Sequence, residues 1–360
     1  MGAEPPAGGG SHYQRNSAMN LFTKLTAGAL AIAAVAVTTA GFAADISGAG
    51  ATFPFPIYSK WAAAYKAQTG TGLNYQSIGS GGGIAQIEAK TVTFGASDMP
   101  MTPADLDKNG LLMFPTVVGS EVLVYNLPGI ASNTLVIDGP TLANIYMGKI
   151  TKWNDPAIKK LNPTVNLPNT AIAVVHRSDG SGTTFIFANY LSKVSKEWAD
   201  KVGAAVSVDW PVGIGAKGNE GVAGNVAQTA GAIGYVEYAY ASQNKLPYTK
   251  MINREGKVVS PTMASFQAAA ANADWARADH FYMILTDQPG ANTWPIENPT
   301  FILIPKNPPN PAAATEALKF FKWAFANGDK MAQDLDYIPL PQAVTQRIEA
   351  SWKEIKGVNP

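Results

Sequence analysis

Apolar positions along this chain recur with two periods. Short runs rich in β-branched and aromatic residues, among them Leu73–Ser77, Val117–Tyr125, Ile172–Val175 and Phe301–Ile304, have the length and make-up of strands. Between such runs the apolar residues return every three or four positions, as in Tyr58, Trp61, Ala62 and Tyr65, or Phe187, Tyr190, Leu191, Val194 and Trp198. That spacing puts them on one stripe of a helix. Two more stripes lie toward the C-terminus: Leu318, Phe321 and Phe325, then Val344, Ile348 and Trp352. Strands alternating with helices predict an α/β architecture with these aromatics in its core. No solenoid repeat or heptad series intervenes, and the most loop-like stretches are 162–169 and 305–311, where Pro and Asn cluster.

The pattern is different before residue 45. From Met19, Asn20 and Lys24 lead into an apolar run from Leu25 to Ala40, closed by the small residues Gly41-Phe42-Ala43-Ala44. A basic start, a short apolar middle and a small-residue end predict an export signal cleaved near Ala43 or Ala44, and no stop-transfer cluster follows to make it an anchor. Residues 1–18, rich in Gly, Pro and Ala, precede a methionine that already begins such a signal, so they read as a tag or a mis-assigned start. Removing residues 1–44 takes two basic residues and one acidic residue with it, which leaves the charges of the remainder balanced.

Composition narrows the function classes. A chain of 360 residues, 46% hydrophobic and 15% charged, is long enough for two domains and has the profile of a compact globular protein. Its 27 basic and 26 acidic residues form no run of more than two Lys or Arg, so the chain lacks the basic face of a nucleic-acid binder. The absence of cysteine removes disulfides, thiolate metal sites and cysteine nucleophiles. Three scattered histidines, His12, His176 and His280, suggest neither a histidine-rich metal site nor the base of a Ser-His-Asp triad.

The candidate chemistry lies in four small-residue clusters at predicted strand ends. They are Gly48-Ala49-Gly50-Ala51-Thr52-Phe53-Pro54, Ile78-Gly79-Ser80-Gly81-Gly82-Gly83, Phe94-Gly95-Ala96-Ser97-Asp98, and the segment from His176-Arg177-Ser178-Asp179 through Gly180-Ser181-Gly182-Thr183-Thr184. Turns of this kind aim backbone N–H groups and hydroxyls outward, and such groups bind oxyanions. The fourth adds a guanidinium, an aspartate and a Ser-Gly-Thr helix start. A fifth glycine cluster, Gly213-Ile214-Gly215-Ala216-Lys217-Gly218, fits the dinucleotide fingerprint in letters only, because Trp210-Pro211 stands where its buried strand should be.

At these clusters the chain resembles the periplasmic phosphate-binding proteins of ABC-type phosphate transporters. The likeness continues through Gly231-Ala232-Ile233-Gly234-Tyr235-Val236-Glu237-Tyr238-Ala239-Tyr240 and Trp294-Pro295-Ile296 and covers essentially all of the chain after the signal. It implies a two-lobed periplasmic-binding-protein type II fold, with 45–120 plus 300–360 as one lobe, 121–299 as the other, and crossings near 117–125 and 297–305. It implies phosphate contacts at Thr52 and Phe53, Ser80, Asp98 as acceptor, Arg177 held by Asp179, and Ser181, Gly182 and Thr183 at a helix start. It further implies a monomeric, non-enzymatic periplasmic carrier without cofactor, delivering inorganic phosphate to a membrane permease.

The residue types suit that ligand. Phosphate keeps part of its proton near neutral pH, so a selective site offers many donors and one acceptor, the part Asp98 can play; sulfate has no proton to give it. Arsenate, similarly protonated, passes the same test. Two rival classes remain: a secreted phosphatase, for which no nucleophile or metal cluster is visible, and a surface adhesin or scaffold, which leaves the oxyanion turns unexplained. Alternation along the strand turns His176 away from the face that carries Arg177.

Overall fold

A computed structural model describes residues 46–360 of the chain; the predicted export signal and its cleavage point lie outside them. Twelve strands are present among the described residues: β1 Ile46–Gly50, β2 Leu73–Ser77, β3 Phe94–Ser97, β4 Leu111–Tyr125, β5 Val136–Asp138, β6 Ala173–Arg177, β7 Ile214–Ala216, β8 Ala232–Glu237, β9 Lys250–Ile252, β10 Val258–Val259, β11 Glu297–Pro305 and β12 Ile338–Pro339. Nine of them make one sheet, ordered β2-β1-β3-β11-β4-β8-β6-β7, with β12 also on β4; the other three form a small sheet, β10-β9-β5.

The large sheet changes partners along a single strand. Residues 111–120 of β4 pair antiparallel with β11, whereas Glu121–Tyr125 pair antiparallel with β8. On the near side β1 lies parallel to both β2 and β3; on the far side β6 lies parallel to β7 and β8. Two α/β layers therefore share one continuous strand, the two-lobed construction that the family resemblance implies.

β4 and β11 extend well beyond the apolar runs that predict them. Pro115 has no N–H for a ladder, which in sequence reads as a stop. The chain absorbs it in a bulge: Thr300 faces Val117 and Phe301 faces Pro115, leaving Thr116 as the extra residue of β4. The Thr116 hydroxyl instead meets the Tyr58 hydroxyl at 2.7 Å, in the core.

Helices pack on the sheet through the predicted stripes. Phe55–Thr69 has Pro56 in its first turn, buries Tyr58, Trp61 and Tyr65, and stops at Gly70, whose φ of 80° lets its N–H close on the Lys66 carbonyl. The helix Pro311–Asn327 lies against it, with Tyr65 edge-on to Phe320 and Phe321 edge-on to Tyr58, Phe94 and Phe114, so the C-terminal helices join the N-terminal strands. The stripe running from Phe187 to Trp198 is divided between two helices. Gly182–Val194 ends at Ser195, whose hydroxyl accepts from the Trp198 N–H and caps Lys196–Lys201. No helix among the described residues is long and apolar enough to cross a membrane.

Candidate functional site

Each of the four small-residue clusters lies at the C-terminal end of a strand of the large sheet or in the turn that follows it. β1 leads through Ala51–Pro54 into Phe55–Thr69, β2 through Ile78-Gly79 into the helix Ser80–Glu88, and β6 through Ser178–Ser181 into Gly182–Val194, while β3 ends directly in Asp98. Because β1, β2 and β3 are parallel, their turns leave the same edge, the place where open α/β sheets hold ligands.

The turns of the two lobes touch. The Gly81 N–H donates to the Gly180 carbonyl at 2.9 Å. Two positions on this face admit only glycine: a Cβ on Gly79, whose φ is 91°, would lie 2.4 Å from Asp179 Oδ2, and one on Gly182 would lie 2.4 Å from both Asp98 Oδ2 and Ser80 Oγ. The last two distances bring Ser80, Asp98 and the start of the helix Gly182–Val194 into one pocket of atoms.

Asp98 is 1% exposed. Its Oδ1 accepts from the Thr300 hydroxyl at 2.7 Å and its Oδ2 from the Ser80 hydroxyl at 3.3 Å, while its own N–H donates to Ser80 Oγ at 3.1 Å. Burial pushes the carboxyl up to about 7, against the pull of the Thr300 bond, the Arg177 charge and the Ser80 bond. A carboxylate so placed accepts hydrogens and resists exposure to a second unprotonated anion.

Arg177 is equally enclosed, at 3% exposed. Its Nε donates to Asp179 Oδ1 at 2.8 Å and its Nη2 to Asp179 Oδ2 at 2.5 Å, a bidentate pair, and its Nη1 donates to Thr183 Oγ1 at 3.1 Å. The cost of burying the guanidinium is outweighed by Asp179, which holds it above its ordinary range. Burial alone would raise Asp179; the Arg177 bond and charge and the Gly218 N–H, 3.0 Å away, bring it below the usual carboxylate value instead. Ser181 caps the helix by accepting from the Thr184 N–H at 3.0 Å. First-turn amides such as those of Gly182 and Thr183 have no acceptor within a helix and carry its positive dipole end. His176 lies flat on Trp210 with ring centres 4.7 Å apart, its Nδ1 3.0 Å from the Arg177 carbonyl, on the opposite side of the strand from the guanidinium.

Thr52 and Phe53 enter from the first lobe, both buried. The Phe53 carbonyl accepts from the Tyr337 hydroxyl at 2.6 Å and the Thr52 carbonyl from the Tyr240 hydroxyl at 2.6 Å. Thr52 also meets Asn219, a buried residue at the start of the helix Gly218–Gln228 that sequence reading passed over. Asn219 Nδ2 lies 2.7 Å from Thr52 Oγ1 and 3.1 Å from Thr183 Oγ1, joining the lobes. The signal that could have found it was the glycine cluster just upstream. Its strand-then-helix form is real, but Gly215 lies inside β7 and the turn presents Gly218 and Asn219 to Asp179 and Thr52.

Behind the cluster stand three more buried acids. Glu121 on β4 and Glu237 on β8 are directly opposite one another, and Glu297 on β11 accepts from the Ser120 hydroxyl at 2.9 Å. Glu237 Oε2 accepts from the Ala239 N–H and the Tyr337 hydroxyl, whereas neither carboxyl oxygen of Glu121 has a partner among the described residues. Burial holds all three carboxyls well above their ordinary range, and for Glu121 the negative charge of Asp98 adds to it. Burial of this kind favours their protonated, uncharged forms.

Two lobes on a shared strand, with turns that close around a buried arginine and aspartate, define a solute-binding protein of the two-lobed kind. The family model described as a PBP superfamily domain matches residues 35–327. The curated relatives include proteins named Phosphate-binding protein PstS: that of Xylella fastidiosa (strain Temecula1) is 54% identical over 307 residues, 85% of this chain and 84% of its own. That of Pasteurella multocida is 54% identical over 316 residues, 88% and 92% of the two chains. Among solved structures, an ancestral soluble variant of the human phosphate-binding protein superposes with a TM-score of 0.70 at 21% identity, covering 88% of this chain and 99% of that one. A high-affinity periplasmic phosphate-binding protein solved with phosphate gives 0.69 at 22%, covering 85% and 93%. These two likenesses speak for the fold. The chain belongs to the PBP superfamily and, within it, to the PstS phosphate-binding proteins.

Proposed function

We propose that this protein is a periplasmic carrier that binds inorganic phosphate between its lobes and hands it to the permease of an ABC-type importer. It is a binding component and not an enzyme. The observation that carries the reading is Asp98: one buried acceptor, itself held by two hydroxyl donors, set against a helix start and a guanidinium already neutralised by Asp179. With Arg177 partly neutralised by Asp179, dipoles and hydroxyls must carry much of the binding of an anion. Family membership, and relatives that carry phosphate binding in their names, support the same ligand.

In this reading the ligand contacts are Thr52, Phe53, Ser80, Asp98, Arg177, Ser181, Gly182 and Thr183, with Asp179 holding Arg177. The lobes divide at the change of sheet partner, 45–120 with 300–360 against 121–299, so that β4 and β11 carry the hinge; the pairing of residues 111–120 and 121–125 with different strands supports that division. In the same reading the leading segment exports the carrier to the periplasm, where it works as the monomer that the family resemblance suggests, and its balanced charge gives no footing to nucleic acid.

Calorimetric titration of the protein, stripped of ligand by unfolding and refolding, tests the reading. Tight one-to-one uptake of phosphate with no response to sulfate at mildly alkaline pH is the expected result. A folded sample that ignores phosphate overturns it.

A further inference from the structure

Thr52 and Thr183 are two of the hydroxyls in the cluster, one from each lobe, and a hydroxyl has one hydrogen to give and two lone pairs with which to accept. Which way each hydrogen points decides whether the residue attracts or repels an anion. The surrounding atoms leave one choice. Asn219 Oδ1 accepts from the Glu237 backbone N–H at 2.9 Å, and since an amide N–H cannot accept, the side-chain amide is fixed with Nδ2 facing the threonines. Its two hydrogens go to Thr52 Oγ1 and Thr183 Oγ1, 2.7 and 3.1 Å away.

The second lone pair of each hydroxyl is filled by another pure donor. Thr52 Oγ1 accepts from the Asn219 backbone N–H at 3.3 Å, and Thr183 Oγ1 accepts from Arg177 Nη1 at 3.1 Å. Both oxygens are therefore saturated as acceptors, and neither hydroxyl hydrogen meets a protein acceptor among the described residues. All three side chains are buried.

We infer that Asn219 is the positioning residue that sets the polarity of this site: it occupies the accepting side of the Thr52 and Thr183 hydroxyls and so commits both hydrogens to the bound anion. The inference rests on the phosphate reading above and adds to it a residue that acts through two others. One carboxamide, anchored on a backbone N–H, thus presets a donor in each lobe and links the lobes while doing so. An anion with acceptors on every face gains from both hydroxyls, and no rotor has to be turned on binding.

The test is a cycle of phosphate affinities by calorimetry in four proteins: unaltered, Asn219→Ala, Thr52→Val with Thr183→Val, and all three changes together. Asn219→Ala is expected to weaken phosphate by about 10- to 100-fold. In the protein lacking both hydroxyls the same change is expected to cost no more than about 2-fold, because Asn219 then has nothing to orient. Equal losses in both backgrounds would mean that Asn219 only supports the fold, and would overturn the inference while leaving the ligand standing. An unaltered protein that takes up no phosphate overturns the ligand and the inference together. If Asn219→Ala does not fold, the near-isosteric Asn219→Asp replaces it. Its carboxylate accepts from both hydroxyls and turns their hydrogens away, so its loss must shrink by at least about 10-fold once the hydroxyls are gone; an undiminished loss refutes the role.

Discussion

Replacing Asp98 by asparagine should convert a phosphate-selective site into one that also takes sulfate. Asp98 Oδ2, beside Ser80 and the Gly182 backbone, is the oxygen on the side of the turns, and Oδ1 is occupied by Thr300 at 2.7 Å. A phosphate hydrogen donated to Oδ2 is a charge-assisted bond worth about 1.5–3 kcal/mol. Sulfate in the same position forfeits that bond and sets an unpaired oxygen against a buried carboxylate, a further cost of about 1–3 kcal/mol. The sum separates the two anions by about two to four powers of ten. In Asp98→Asn the Thr300 hydroxyl still needs an acceptor, which orients Oδ1 toward it and Nδ2 toward the ligand. That nitrogen donates to sulfate and offers nothing to the phosphate hydrogen. Titration of both proteins with both anions at pH 8 should show phosphate weakened by about 10- to 100-fold and sulfate binding where the unaltered protein has none. A variant that still binds phosphate tightly and still ignores sulfate would refute the assignment of Asp98 as the discriminating acceptor.

Three other outcomes follow from the geometry. Gly81→Ala lies in a helix, where alanine is favoured by up to about 1 kcal/mol, yet its Cβ would stand 3.1 Å from the Gly180 Cα; thermal melts should hold steady or rise while phosphate affinity falls, and a variant unaltered in affinity would show that the turns need not meet this closely. Glu121 is held well above the ordinary carboxyl range by burial, so the folded state keeps its proton at pH values where the unfolded state has lost it; its contribution is complete below about pH 4.5 and drains away as pH rises. Glu121→Gln should therefore match the unaltered protein near pH 5 and exceed it in denaturant midpoint at pH 9, and a gap that closes toward high pH has the wrong sign for this account. Phe321→Ala, emptying the centre of an aromatic cluster, should cost about 3–5 kcal/mol in chemical unfolding, and a loss under about 1 kcal/mol would mean the cluster repacks.

The alternation of strands and helices was legible because it is written locally, in period and in punctuation. Where it went unread, a distant contact had overruled the local sign. Pro115 looks like the end of a strand until a bulge on β4 accommodates it against β11, some 180 residues later in the chain. Ser195 splits a continuous apolar stripe because its hydroxyl caps the next turn rather than facing solvent. The same division runs through the site. Thr52, Ser80, Asp98, Arg177 and the Ser181–Thr183 start stand on turns rich in Gly, Ser and Thr, which announce themselves in sequence, and the fold gathers those turns in one buried neighbourhood. Thr300, Tyr240 and Tyr337 carry no such mark, and Asn219 has only the glycine cluster before it. Each is an ordinary polar or aromatic residue within its own element, given its partner only when the sheet and its turns come together.

The extra residue at Thr116 matters beyond the space it fills. Side chains on a strand alternate, so a single insertion inverts the parity of everything beyond it relative to the neighbouring strand. Across the bulge, β4 answers β11 with one parity over residues 111–115 and with the other from Val117 onward, and it is the second stretch that goes on to pair with β8. Deleting Thr116 would thus leave both halves of the strand on their present faces, with Pro115 still against Phe301 and Val117 still against Thr300 as immediate neighbours, and the loss would fall on the contact with the Tyr58 hydroxyl. Losing two adjacent residues there would slip the pairing by one position, exchange the two faces of the strand beyond it, and should be borne less easily than losing one.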